Sequence, residues 1–515
     1  MKRILFFACF LMLIAGRLTP VFSQSGGTTR ILLEQADTWQ YDKKLNPDIQ
    51  RIIGNVVLSH DSAYLYCDSA WLNEAVNSVI AFGNVHIMIS DTLNIFGDSI
   101  RYDGNTKIAR LKGNARLVDN QTVLTSDTII YDRTTDIARY DYWGKIVNDK
   151  NVMVSHYGLY YTDKKEFIFR EKVLGFSQKY KMRSDTLHYN TVSERAYFFG
   201  PTTIVGKEDS IYTENGWYNT KTDEVHLSKR GKIFHEAQIL SGDTMYYNRS
   251  TGFGEVYDNA MMVDTAENVL LAGNFGQYYR EPGYAFMTDS ALVGLIDKSD
   301  TLFMHSDSIQ GYFDTTRTVK KIFAFHNVRF FRQDLQGLCD SLVYTGIDST
   351  MRMYNNPVVW SGENQLSADT MSLTLHNGKM DSLVMYNSSF IISRDDSLRF
   401  NQIKGKDMIG YFRDNHLYKV VVMGNAETVY YVREDNGSLV GINKGVSSNM
   451  LIFVNDNKVQ DITYIESPSY ALFPENELSP NDVILRDFKW EEDKRPMEKK
   501  DIFREQEPEK TDDRD

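Results

Sequence analysis

Cysteine is scarce in this chain of 515 residues, which carries three. Cys9 lies inside an N-terminal apolar run; Cys67 and Cys339 each stand just before an Asp-Ser pair, about nine repeats apart. With stacked strands ~4.8 Å apart, these two thiols would be at least ~40 Å from one another, whereas a disulfide needs Cα atoms ~5.5–6 Å apart. A bridge is therefore excluded, and two isolated, half-buried thiols are expected. Positive charge is also short: 57 Lys and Arg face 69 Asp and Glu, a net charge of -12 with a pI near 5.4. Nucleic-acid phosphates would repel such a chain. Beyond the first residues no run approaches the ~18 consecutive apolar residues of a helical membrane span. Catalytic signatures are missing too. The sequence holds no His-Glu-x-x-His, no Cys-x-x-Cys, no Gly-x-Ser-x-Gly and no Walker-type loop, and its ten histidines scatter without metal spacing. Gly252-Phe253-Gly254 is the nearest thing to a cofactor loop and reads as a hairpin turn. No metal, cofactor or catalytic residue is expected.

What is present begins with an export signal. Lys2 and Arg3 precede an apolar run over residues 4–15, and Val21-Phe22-Ser23 offers a cleavage site before Gln24. Residues 1–23 are read as a cleaved signal peptide, which places the mature chain outside the cytoplasm, in the periplasm.

The rest of the chain repeats. Asp-Ser or Asp-Thr followed by Tyr and Asp or Asn returns about every 29 residues, at Asp98, Asp127, Asp185 and Asp243, with later copies at Asp340 and Asp369. A second phrase keeps the same beat: Gly54-Asn55, Gly83-Asn84 and Gly113-Asn114, then looser copies such as Asp258-Asn259, His326-Asn327 and Gly424-Asn425. A fixed period of this size means one supersecondary unit stacked many times. Apolar residues at every second position, bounded by Gly, Asn and Asp, predict half-buried antiparallel strands, hence an all-β fold. Parity lines up Leu58, Ile87, Leu117, Ile129, Leu187, Met245, Phe330, Leu342 and Trp360 on one inner face. These nine are the candidate lining of a trough. The aspartates Asp98, Asp127, Asp185, Asp243, Asp340 and Asp369 are read as structural corners, since a carboxylate beside a hydroxyl accepts backbone N–H groups where a strand turns. His86 and His188 alternate with apolar neighbours and are expected to face solvent.

Organisation follows the beat. Residues 24–265 form an N-terminal set of repeats, with degenerate copies at Ser155-His156 and Thr213-Glu214. Residues 266–325 show stretched spacing and extra pairs at Asp289-Ser290 and Asp300-Thr301, read as an inserted hairpin or a junction. Residues 326–470 resume the repeats, and residues 471–515 read as a charged, unstructured tail.

These phrases, together with Val328-Arg329-Phe330-Phe331-Arg332, Gln336-Gly337-Leu338-Cys339-Asp340-Ser341-Leu342-Val343-Tyr344, Gln402-Ile403-Lys404-Gly405-Lys406 and Gly424-Asn425-Ala426-Glu427-Thr428, resemble the OstA-like (organic solvent tolerance) family. That family is related to LptA and to the periplasmic N-terminal part of LptD, and the likeness is to its long Bacteroidetes-type form. The resemblance implies an elongated β-jelly-roll, folded like a taco, whose apolar groove carries lipopolysaccharide or a similar lipid toward the outer membrane. It further implies partners among other lipopolysaccharide-transport proteins through end-strand pairing, or self-association, and an outer-membrane connection. Two rivals stand beside this reading: a structural or adhesive β-repeat with a packed interior, and a carbohydrate-active β-solenoid enzyme, which parallel strands would favour.

Overall fold

The computed structural model describes residues 29–41, 48–296, 300–314, 318–376, 378–434, 436–455 and 458–504. The export signal with Cys9, and the last residues from 505 on, lie outside the described residues. The chain divides into two compact units, one ending at Ile146 and the other beginning at Val147.

In the first unit Leu32–Gln35 and Thr38–Tyr41 both pair with Ile49–His60. From there Ala63–Asn73, Ser78–Met88, Leu93–Asp103, Ile108–Asp119, Thr122–Asp132 and Ile137–Tyr140 follow as an antiparallel meander. The alternation that the sequence shows is what drives it: within Ile108–Asp119, Ala109, Leu111, Ala115 and Leu117 are buried and the residues between them are not.

Each long strand bends in its middle. In Ser78–Met88, Phe82 pairs with Ser99 and Val85 with Gly97, so Gly83 and Asn84 stand opposite the single Asp98. This two-against-one count is a bulge, and both residues are left-handed, with φ of 74° and 43°. The Asn84 amide donates to Asp68 at 2.9 Å, Asn55 to Asp37 and Asn114 to Asp98 at the same distance. The repeating phrases are thus two sides of one bend. Because every strand bends at the same place, the unit folds into two leaves: leaf A holds segments such as 49–53, 69–73, 78–82 and 99–103, leaf B segments such as 56–60, 63–67, 85–88 and 93–97. The apolar columns pack between them.

The second unit repeats the scheme with other bend chemistry. At the degenerate copies, His156 Nδ1 meets Glu171 at 2.9 Å, and Glu214 pairs with Lys229 and Arg230, both at 3.0 Å. Residues 266–325, expected to be an inserted hairpin or a junction, continue the meander as Val269–Tyr279, Tyr284–Ile296, Thr301–Phe313 and Val319–Arg332. Asp289 and Ser290 adopt φ of 58° and 64° and take the Gly-Asn place in a bend. Aspartate enters this region cheaply, so the pair was an opener in the wrong letters.

The expected tail is also different. Residues 474–504 carry three short 3-10 turns, Glu475–Glu477, Glu492–Lys494 and Lys499–Phe503, and pack across leaf B of the second unit, with Ile502 fully buried. Cys67 and Cys339 are free and buried rather than half-buried. Burial pushes the Cys67 thiol up to about 12 and Cys339 upward as well. His86, expected in solvent, is half-buried in an outer stack, its ring centroid 5.4 Å from Tyr66 and 4.5 Å from Phe96, with Arg116 over Phe96 at 4.6 Å. His188 is likewise half-buried, 4.7 Å from Phe199.

Candidate functional site

The interior of the first unit opens toward the hairpin ends, opposite the bends. There an apolar chamber of about 30 Å³ is walled by Ile31, Leu58, Leu65, Val79, Ile87, Ile100, Ala109 and Tyr131. Leaf A and leaf B both contribute, because the walls are the inward residues of the last turns of each strand. Leu117 and Ile129 lie in the same interior, and both are fully buried.

Polar groups close the mouth. His60 and Asp61 end a strand of leaf B; Tyr102, Lys107 and Arg133 sit at the hairpin edge of leaf A. His60 Nδ1 and the Tyr102 hydroxyl are 2.6 Å apart. Arg133 Nη1 donates to the His60 carbonyl at 3.1 Å and to the Tyr102 hydroxyl at 3.0 Å. Lys107 Nζ meets Asp61 at 2.9 Å, Arg133 Nη2 lies 4.0 Å from the same carboxylate, and the Thr29 hydroxyl donates to it as well. The cluster is a latch between the free edges of the two leaves. His60 is 4% exposed and the Arg133 side chain 10%, so these bonds work in partly dry surroundings, where an unmade one is costly.

Hydrogen bonds from Thr29 and Lys107 hold the Asp61 carboxyl at about 2, below its ordinary 3.8, against the opposing effect of burial. A depressed carboxylate stabilises the folded state above its unfolded value and loses that contribution as pH falls through the folded one. Asp61 therefore contributes about 1 kcal/mol, after allowance for solvent screening, and that share is lost between roughly pH 4 and pH 2. Acid titration of unfolding stability should show this slope in the native chain and lack it in Asp61→Asn; equal slopes in both would refute the assignment.

In the second unit similar contacts join the edges. Arg249 of leaf A pairs with Asp209 of leaf B through Nε at 3.0 Å and through Nη2, and Lys179 meets Asp223 at 3.0 Å. Tyr180 and Tyr218 stand edge to face with centroids 5.4 Å apart, and burial pushes the pKa of both hydroxyls upward.

Of the nine inner candidates, Leu58 and Ile87 wall the chamber, while Leu187, Met245, Phe330 and Leu342 occupy the interior of the second unit at 1% exposure or less. Trp360 does not belong with them. It pairs in register with Gln336 and Gln365, whose side chains point outward to the 474–504 segment, and it packs with Leu338 and Val358 on that outer side. The parity was counted from Asn356-Pro357, one residue late: the left-handed pair of this bend is Asn355-Asn356, so Val359 faces inward and Trp360 outward, where it is apolar for a different cover. The six aspartates lie at the bends: Asp98 and Asp243 accept from Asn114 and Asn259, and Asp340 accepts from Asn355 at 3.2 Å. The backbone N–H of Asp369 bonds the Asn387 carbonyl, and Asp127 and Asp185 are skipped in register opposite left-handed pairs. The latch residues escaped the sequence reading; the only signal was a histidine and an arginine set at strand ends, where the neighbouring pattern is apolar. Among the described residues no group of three or more His, Cys, Asp and Glu is placed to hold a metal ion.

A bent antiparallel β-repeat with an apolar interior behind a charged, latched edge is the class of protein these units define. Residues 28–185 and 178–236, less than half of the chain, match the family model described as OstA-like protein. A comparison with curated proteins finds no match. Sixteen chains among the solved structures match. One is LptH from Pseudomonas aeruginosa, the LptA homologous periplasmic component of a lipopolysaccharide transport device. It is 20% identical, over 20% of this chain and 76% of that one, with a TM-score of 0.18.

Proposed function

We propose that the chain is a non-catalytic periplasmic carrier, a bridge or scaffold that takes the acyl chains of lipopolysaccharide or a similar amphiphile between its leaves and passes them toward the outer membrane. The observation that carries this reading is the latched apolar chamber: walls built mainly of aliphatic side chains, and a mouth where Lys107 and Arg133 can meet an anionic headgroup. The family-model match over residues 28–236 supports it. Each methylene moved from water into such an interior gains about 0.8 kcal/mol. A uniform apolar lining lets the chain slide, since no rung holds it. At rest the chamber is too small for an acyl chain, so the leaves must part at the edge that the latch holds. Other transport proteins, or a second copy, are its proposed neighbours through the end strands, whose open N–H and C=O groups call for pairing.

A photocrosslinking residue at Ile87, Leu117 or Ile129 should yield lipid adducts in cells, and one at outward Phe96 should not. Absence of adducts at all three inner positions would sink the carrier reading. It would leave the second reading, a structural β-repeat, which the near-complete burial of the inner columns favours. Among the described residues the strand pairings within each unit are antiparallel, whereas parallel strands would have favoured the carbohydrate-active reading.

A further inference from the structure

Three glutamines at outward positions of leaf B in the second unit are hidden: Gln336, Gln365 and Gln402 are 3%, 1% and 2% exposed. Register sets them in one lateral row. Gln336 pairs with Trp360, Trp360 with Gln365, Gln365 with Ile392, Ile392 with Gln402, Gln402 with Val429 and Val429 with Lys444. Directly paired residues of antiparallel strands share a face.

The cover is the segment that follows the last strand. It crosses the strands in order from Leu439–Asn455 back to Thr301–Phe313, directly over this row. Gln402 donates from Nε2 to the Val483 carbonyl at 2.8 Å and accepts the Leu485 N–H at 2.9 Å. Gln365 repeats the fork on the Lys489 carbonyl at 2.7 Å and the Glu491 N–H at 2.8 Å. Gln336 takes Nε and Nη2 of Arg495 at 2.9 and 2.7 Å. The first two forks read backbone groups two residues apart, the repeat of one side of an extended chain. Between them Phe488 and Trp490 pack on Phe400, with centroids 5.4 and 5.0 Å away. Yet the segment adds no strand to the sheet, and most of its other side chains stay exposed. It is held as a ligand is held.

We propose that this row is a peptide-binding track whose occupant is the chain's own segment 478–504, docked in cis and exchangeable. Its chemistry fits an extended peptide with two aromatic residues at i and i+2 and an arginine five residues further on. Forks that read backbone amides tolerate sequence, so a second segment of the same spacing competes for the track. The inference does not rest on the lipid reading.

The test uses the full chain with a protease site inserted after Glu477, cut in the folded state. The cut segment should co-elute with the body and exchange with labelled synthetic peptide 478–504. Gln365→Leu with Gln402→Leu should speed its release about tenfold or more. A peptide carrying Phe488→Ala and Trp490→Ala, which leaves the body untouched, should fail to compete. Loss of strand signal on cutting, a segment that never exchanges, prompt loss without rebinding, or release indifferent to the glutamines would each overturn the proposal.

Discussion

Gly83→Ala is expected to destabilise the first unit by about 3 kcal/mol, a large share of a domain's margin. Alanine at φ 74° sets its Cβ against the following carbonyl, at a cost of roughly 1–2 kcal/mol. The added Cβ would also lie 2.3 Å from an Asp68 carboxylate oxygen and 2.9 Å from the Asp68 Cβ, so that side chain must move. Moving it breaks the bond from Asn84, worth about 1 kcal/mol more. Gly437→Ala supplies the control: φ there is 85°, but nothing lies within 4 Å of the added atom, so only the backbone part is charged. Denaturant unfolding of the two variants separates these contributions. Equal losses would show that the contact with Asp68 is irrelevant to the bend.

The same bend marks how far the sequence could be read. Gly83-Asn84 and Asp98 were legible because glycine and asparagine are the residues that enter left-handed backbone without help, and because their spacing repeats. Glu171-Lys172 bends the chain just as well, at φ of 60° and 53°, but its letters are those of any exposed strand. There the bend is held by the His156–Glu171 contact and by the N–H of His156 on the Glu171 carbonyl, neither of which has a local signature. The inner columns were legible from parity in Leu117 and Ile129. Trp360 was not, because its face depends on which pair forms the bend, and period-two alternation is silent on whether the other face is covered as well. Its cover is supplied by residues more than a hundred positions later. The latch was illegible for a related reason: His60 and Arg133 meet only because two hairpin ends of different leaves close on one another.

The latch makes the second large effect. Arg133→Ala combined with Lys107→Ala should cost the first unit about 3 kcal/mol of stability while raising its affinity for an uncharged acyl probe. Arg133 makes two hydrogen bonds in a mostly buried setting, about 2 kcal/mol together, and the half-exposed Lys107–Asp61 pair adds about 1 kcal/mol or less. If a ligand must part the leaves before entering, the energy that holds them shut is subtracted from its apparent affinity. Removing about 3 kcal/mol of closure can return up to ~100-fold in binding, since each 1.4 kcal/mol is tenfold. An uncharged probe isolates this gain from any loss of headgroup attraction to the two cations. Calorimetric melting and fluorescence titration on the same double variant read the two sides of one equilibrium. A lower melting temperature with unchanged probe affinity would mean that the latch stabilises the fold without guarding the chamber, and the entry route would then lie elsewhere than at His60 and Tyr102.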